Sequence, residues 1–103
     1  MKGGDKVESS LVLERMAKKM NIPLHNLLKK GAEAVLKEKK RKYLNERLEI
    51  LLRYEAITTK ELKEKIKEGI VPEHPAWEDF IEAKNIENEV KEIENDLKSI
   101  QET

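Results

Sequence analysis

The feature that most constrains the fold is the stretch from Leu24 to Ile57, which contains no proline and a single glycine, Gly31. We predict that it forms one long helix, or two helices in line. Its apolar residues fall into two blocks whose members are mostly three or four positions apart, so each block can bury one face of a helix. The blocks are Leu24, Leu27, Leu28, Ala32, Val35 and Leu36, and then Leu44, Leu48, Leu51 and Leu52.

Between the two blocks, residues 37–42 comprise five cations, one anion and no apolar side chain. Two interpretations stay open. The segment is a solvated helical spacer, or its cations neutralise the phosphates of a nucleic acid without reading its sequence. The candidate nucleic-acid-binding residues are Lys29, Lys30, Lys37, Lys39, Lys40, Arg41 and Lys42.

The composition favours helices with thin apolar seams, because 41% of the 103 residues are charged and 4% are aromatic, yet the apolar residues are periodic. We predict an all-α fold, an elongated hairpin or bundle of about four helices at residues 6–20, 24–57, 59–68 and 75–100. A chain of this length forms one small domain. Lysine and glutamate dominate the charged residues, which is typical of hyperthermophile proteins, so we expect a hot-growing source.

Charge is distributed unevenly along the chain. Residues 1–42 carry 12 Lys and Arg against 5 Asp and Glu, whereas residues 43–103 carry 9 against 16. We therefore distinguish a basic part, residues 1–57, and an acidic arm, residues 58–103, within one structural domain. The two parts either present surfaces to different molecules or attract each other within a monomer or dimer.

Local signals set the expected helix ends. Residues 1–6 are expected to be a frayed leader, with the first helix starting between Lys6 and Leu11 and with Asp5 and Glu8 as its capping box. Asn21 and Pro23 indicate a tight corner before the second helix. The pair Thr58 and Glu61 predicts a second capping box, and Gly69 predicts the end of that short helix.

The stretch around the single tryptophan and the single phenylalanine of the chain is the most individual one. Pro75 suits the first position of the last helix, which places both aromatic rings on its first turns. They form either a plug that seals the corner or an anchor for a partner protein rimmed by carboxylates. The candidate partner-binding residues are Trp77, Glu78, Asp79, Phe80 and Ile81.

The last helix carries apolar residues at alternating spacings of four and three, which is a heptad seam. Two heptads are too few for an independent coiled coil, so the seam packs on Leu44, Leu48 and Leu51 of the same chain or forms an oligomer seam with a copy of itself. Its outer face is acidic, with Glu82, Glu87, Glu89, Glu92, Glu94 and Asp96. The seam residues are Ile86, Val90, Ile93, Leu97 and Ile100.

The sequence holds no recognisable catalytic arrangement. His25 and His74 lie almost fifty residues apart, and the chain contains no Cys and no glycine-rich phosphate loop. We therefore expect no metal site, no cofactor and no enzymatic activity. The N-terminus lacks the apolar core of a signal peptide, and no run of 18 apolar residues exists, so we expect a cytoplasmic protein without a membrane span.

The run from Leu13 to Ala32 resembles the two-helix part of ribbon-helix-helix proteins and of related small prokaryotic, in particular archaeal, antitoxins, over about residues 11–40. That family reads the major groove of DNA with an N-terminal strand of alternating polar and apolar residues. Residues 1–10 do not alternate in this way, so no base-reading residue is carried over. An ordinary helix-turn-helix, with the helix from Leu24 as its recognition element, is the other use of this pattern.

The resemblance implies an antitoxin-like interaction protein. Its basic part would dimerise and bind operator DNA, and its acidic arm would bind and neutralise a small basic toxin of the nuclease type. Two alternatives stay open. One is a stand-alone helical transcriptional regulator that binds DNA and uses the acidic arm to dimerise. The other is a structural or adaptor protein without nucleic-acid contact.

Overall fold

The computed structural model describes residues 2–103, with side chains described from Glu8 onward. This part of the chain folds into four α-helices and contains no strand. The helices are α1 (Lys2–Met20), α2 (Leu24–Leu52), α3 (Thr59–Lys67) and α4 (Glu73–Gln101). The predicted all-α fold with four helices is therefore confirmed.

The start of α1 differs from the prediction. The helix begins at Lys2, so neither the frayed leader nor a start after Lys6 is correct. Gly3 and Gly4 lie inside the helix, because a glycine weakens a helix by only about 1 kcal/mol and does not forbid it. Asp5 also lies inside it, and its side chain, like Met1, falls outside the described residues.

Three helices end in the same hydrogen-bonded motif, in which a residue with positive φ follows the last turn. These residues are Asn21 (φ 57°), Glu55 (φ 53°) and Gly69 (φ 72°). The residue after each one donates its N–H to a carbonyl five positions back: Ile22 to Ala17 (3.0 Å), Ala56 to Leu51 (3.0 Å) and Ile70 to Lys65 (2.9 Å). This is the Schellman motif, which satisfies carbonyls that the helix end leaves unpaired.

The ends at Asn21 and Gly69 were predicted, whereas α2 ends at Leu52 and not at Ile57. Glutamate shows no preference for positive φ, so nothing at Glu55 indicated a helix end. The end of α2 is secured from α3, because the ammonium of Lys65 donates to the carbonyls of Tyr54 (3.0 Å) and Glu55 (2.9 Å). The ammonium thus gives a cationic donor to backbone carbonyls at the end of α2.

The start of α3 follows the predicted capping box. The Glu61 N–H donates to the hydroxyl of Thr58 (3.1 Å), and the Glu61 carboxylate accepts the N–H of Ile57 (2.8 Å). The prediction of α4 is also close, because regular helical geometry is interrupted at His74 (φ −116°, ψ 131°) and continues from Pro75.

The chain divides into two compact units, one reaching to Val35 and one from Leu36 to Thr103, with the boundary inside α2. The second unit contains two core clusters. In the first, Tyr43 packs against buried Ile50, Ala83, Ile86 and Val90. In the second, buried Leu51, Ala56 and Leu62 are covered by Tyr54, Ile66, Val71 and Phe80.

α4 lies antiparallel to the second half of α2. Arg47 pairs with Glu87 (2.8 Å), whereas Arg53, just past the end of α2, lies 3.6 Å from the carboxylate of Asp79. The predicted packing of the last helix on the same chain is therefore confirmed where the two core clusters join α2 and α4.

The face of α2 that meets α4 is not the expected one. Leu51 is buried as predicted, but Leu48 and Leu52 are 52% and 62% exposed, and Leu44 is 41% exposed at the edge of a shallow groove that Val90 also lines. Ile50 supplies the contact instead. The reason is geometric: residues four apart on a helix are rotated by roughly 40°, so a row of leucines at every fourth position turns away from a straight seam.

The first unit buries little apolar surface. Ala17 is its one buried apolar side chain among the described residues, at 3% exposure. Six of its large apolar side chains are 44% to 67% exposed: Leu11, Val12, Met16, Met20, Leu28 and Val35. The spacing of Leu13, Met16, Ala17 and Met20 predicts one buried stripe on α1, but only Ala17 is buried and Leu13 is half-buried. Helix packing inside this unit therefore contributes little to its stability.

We expect Gly69→Ala and Gly31→Ala to have opposite effects on stability. At Gly69 the positive φ penalises any side chain, so the free energy of unfolding should fall by about 1 kcal/mol. At Gly31, inside α2 with nothing within 4 Å of an added Cβ, it should rise by about 0.5 to 1 kcal/mol. Thermal melts followed by circular dichroism measure both, and shifts of the same sign would contradict the assignment.

Candidate interaction surfaces

The aromatic pair at the start of α4 is divided between core and surface. The rings of Trp77 and Phe80 stack with centroids 5.4 Å apart and planes inclined by 22°. Phe80 packs on the second core cluster, while Trp77 is 40% exposed. Phe80 therefore belongs to the fold, and Trp77 presents a rigid, partly exposed ring that Phe80 holds in place.

Two residues near the Trp77 ring, Ile81 and Glu78, are also exposed. Ile81, one turn further along α4, is 44% exposed. The side chain of Glu78 is also exposed, and its carboxylate lies 2.7 Å from Nδ1 of His74. The backbone N–H of Glu78 and the imidazole of His74 hold the pKa of this carboxyl below its usual value, so it stays ionised at neutral pH.

Asp79 is turned towards the chain. It accepts a hydrogen bond from the Tyr54 hydroxyl and lies beside the guanidinium of Arg53, and its side chain is only 17% exposed. Burial, together with the hydrogen bond and the charge of Asp79, raises the pKa of Tyr54 to about 12. Of the five predicted partner-binding residues, Trp77, Glu78 and Ile81 are thus exposed, whereas Asp79 and Phe80 are engaged within the second unit.

Glu87 joins three helices, a role that the sequence did not indicate. Its carboxylate accepts hydrogen bonds from Arg47 of α2 (2.8 Å) and Thr59 of α3 (3.3 Å) and pairs with Lys84 of α4 (3.3 Å). Burial raises the pKa of the Glu87 carboxyl, but the hydrogen bonds from Arg47 and Lys84 outweigh it, so the pKa lies below its ordinary value. The carboxylate therefore stabilises the fold while it is ionised.

The sequence predicts Glu87 on the acidic outer face of α4, but the structure places it between three helices. Its spacing of four from Ala83 and three from Val90 places it beside the seam, a signal that was available but could not identify Arg47 as its partner. The other five carboxylates assigned to this outer face are exposed and form no ion pair with a described residue. They are Glu82, Glu89, Glu92, Glu94 and Asp96.

The predicted nucleic-acid-binding residues are mostly exposed. In the second unit Lys37, Lys39 and Lys42 are exposed, Lys40 is half-buried, and Arg41 pairs with Glu38 at 2.7 Å. Both side chains of that pair are more than half exposed, so it is easily exchanged for another partner. No described ion pair joins residues 37–42 to α4. In the first unit Lys30 is exposed and Lys29 half-buried.

The predicted oligomer seam faces the interior of the second unit. Ile86, Val90 and Ile93 are 5% to 7% exposed, and the first two pack with Ile50. Leu97 and Ile100 are half-buried. Ile86 and Val90 therefore have apolar neighbours without a second copy.

The match to known proteins covers the whole chain. A family model described as "Uncharacterized protein MJ0235 family" matches residues 1–103. The chain belongs to this family. No curated protein and no solved structure matches it.

Two further observations concern the described part of the chain. It contains no group of three or more His, Cys, Asp or Glu side chains arranged to hold a metal ion. None of its helices combines the length and the apolar character that crossing a membrane requires.

We expect Glu87→Gln to lower the free energy of unfolding by about 1 to 2 kcal/mol at pH 7, because it weakens charge-assisted hydrogen bonds from three helices. The pKa of Glu87 is lower in the folded state, so its contribution is present above the unfolded pKa, near 4.3, and is lost as pH falls through the folded value. The difference from the natural chain should therefore be smaller at about pH 3 than at pH 7.

Urea unfolding at both pH values measures this difference. The matched control is Glu89→Gln, on the same helix, where the carboxylate is exposed and forms no described ion pair. An equal loss of stability in both variants, or a Glu87→Gln effect that is as large at low pH as at pH 7, would contradict the role of Glu87.

Proposed function

We propose that this chain is an antitoxin-like interaction protein whose α4 binds a small basic protein of the nuclease type and blocks it. The observation that carries the proposal is the pairing of Trp77 and Ile81, one turn apart and 40% and 44% exposed, beside the exposed carboxylates of Glu78 and Glu82. A tryptophan surrounded by polar groups that exclude water is a frequent energetic centre of protein interfaces.

The rigidity of the Trp77 side chain supports this role. Trp77 stacks on Phe80, which is itself packed on the core, so little side-chain freedom remains to be lost on binding. Ala76, beside Trp77, is fully buried and fixes the first turn of α4.

The charge of α4 selects the class of partner. At 100° per residue, Trp77, Ile81, Glu92 and Asp96 lie within an arc of roughly 100° that is roughly 80° or more away from Ile86 and Val90. This face therefore combines an apolar anchor at one end with ionised carboxylates along two further turns. Such a surface attracts a basic protein, raises its association rate and repels acidic ones.

The test uses the product of the neighbouring reading frame as the partner. We expect its expression to arrest growth and co-expression of this chain to relieve the arrest. In titration calorimetry with that product, Trp77→Ala with Ile81→Ala should weaken binding by about 30-fold or more. Ile57→Ala with Ile70→Ala removes comparable exposed apolar surface elsewhere and should change it little.

A neighbouring product that is harmless and does not bind this chain would overturn the antitoxin proposal. Binding that the α4 variant and the control variant weaken equally would overturn the assignment to Trp77 and Ile81. Circular dichroism of each variant confirms that it is folded.

A second activity is supported by a separate observation, namely that the lysines at 37, 39, 40 and 42 form no ion pair within the described part of the chain. We infer that this basic segment binds the phosphates of duplex DNA. The contact is electrostatic and does not by itself read bases. A stand-alone DNA-binding regulator, the alternative to the antitoxin, would use the same segment.

Fluorescence anisotropy with an arbitrary 24-base-pair duplex of about two helical turns tests this activity. With four phosphate contacts, the affinity should fall about 100-fold between about 50 and 200 mM salt. Replacing Lys37, Lys39, Lys40 and Lys42 by Ala should abolish binding. The same replacement of four exposed lysines outside the segment, Lys60, Lys67, Lys91 and Lys98, should preserve it. Equal losses would contradict the site, and no binding by the natural chain would favour the adaptor role.

A further inference from the structure

A row of exposed side chains along the end of α2 and the turn after it is symmetric in spacing. It reads Arg41, Leu44, Leu48, Leu52 and Glu55, at spacings of three, four, four and three residues. A cation thus begins the row, an anion ends it, and Leu48 is its centre. The three leucines are 41%, 52% and 62% exposed, and the two charged residues are exposed as well.

The three leucines of this row belong to neither core cluster. Ile50 and Leu51, which lie beside it on α2, supply the contacts to the two core clusters. The three leucines sit on successive turns at every fourth position, and such ridges interlock with the same ridges of a second helix in the commonest class of helix packing.

We propose that two copies of this chain associate through this row, with the two α2 helices antiparallel and Leu48 of each copy at the twofold axis. Leu44 then meets Leu52 of the second copy, and the reverse contact occurs by symmetry. A twofold interface requires a surface that is complementary to itself, and the spacing about Leu48 satisfies that requirement.

The charges at the two ends of the row favour a second copy of this chain as the partner, with its α2 antiparallel. In the antiparallel pair Arg41 of each copy lies near Glu55 of the other, so the interface has two pairs of opposite charge. A parallel pair would place Arg41 beside Arg41 and Glu55 beside Glu55, which is repulsive. The existing pair of Arg41 with Glu38 is exposed, and a guanidinium has five donors, so Arg41 can also donate to a second carboxylate.

The backbone holds both ends of the row. Arg41 lies within α2, and Glu55 occupies the positive-φ position of the turn that ends it. Lys65 binds the carbonyl of Glu55 (2.9 Å), which fixes the place of this residue relative to the helix. Three partly exposed leucines form a small apolar centre, so the dimer belongs to the weak class of interfaces.

Sedimentation equilibrium from about 5 to 500 µM, a range that covers such weak dimers, should show the mass rising from one chain towards two. Leu48→Glu places two carboxylates at the axis and should abolish association, whereas Ile57→Glu, at another exposed apolar residue outside the row, should preserve it. A single-chain mass at the highest concentration, or equal effects of the two variants, would overturn the proposal.

Disulfide trapping tests the direction, because the chain contains no Cys and an introduced thiol has no competitor. Under mild oxidation Leu48→Cys should form a linked dimer. Leu44→Cys alone and Leu52→Cys alone should not exceed the collision background set by Ile57→Cys, but a mixture of the two should link. Linking of each of the three single variants by itself would indicate a parallel pair and overturn the antiparallel one.

A charge exchange provides the final control. Arg41→Glu and Glu55→Arg should each weaken association about 3- to 10-fold, because each replaces two attractive pairs by repulsive ones. The double variant restores the pairing with its direction reversed and should recover the natural affinity. Additive losses in the double variant would overturn the assignment of Arg41 to Glu55, and helical circular dichroism verifies that every variant is folded.

Discussion

The burial of Ile50 and Leu51, two consecutive residues of α2, is the constraint on which the second unit depends. Ile50 packs with Ala83, Ile86 and Val90 of α4, whereas Leu51 packs with Leu62 of α3 in the other cluster. Adjacent side chains on a helix differ by about 100° in direction, so this pair holds two partners at once. The exposure of Leu48 and Leu52 and the outward direction of the acidic side of α4 both follow from that arrangement.

Much of the fold could be predicted because its signals are local. Asn21, Thr58, Gly69 and Pro75 each mark a helix end through their own backbone or side-chain chemistry. The positive φ of Glu55 could not be predicted, because glutamate has no local preference for it and the surrounding structure imposes it. The face of α2 was also missed, because three regularly spaced leucines are a stronger pattern in the sequence than the single Ile50 that is buried.

The candidate surfaces could be predicted only in part. The spacing of Trp77 and Ile81 places them on one side of α4 whatever the rest of the chain does. Whether a carboxylate faces water or an arginine depends on which helix lies opposite, and no local pattern contains that information. Asp79 and Glu87 therefore could not be separated from the exposed carboxylates of the same helix until Tyr54 and Arg47 were placed beside them.

The continuity of α2 has a consequence for how the chain opens. The boundary between the two units lies between Val35 and Leu36, so the hydrogen-bond ladder of one helix crosses it. The unit before the boundary buries Ala17 and little else among its described side chains, whereas the unit after it contains both core clusters. Amide exchange should consequently be graded along α2, slow near Ile50 and progressively faster towards Leu24, because the helix opens from its N-terminal end.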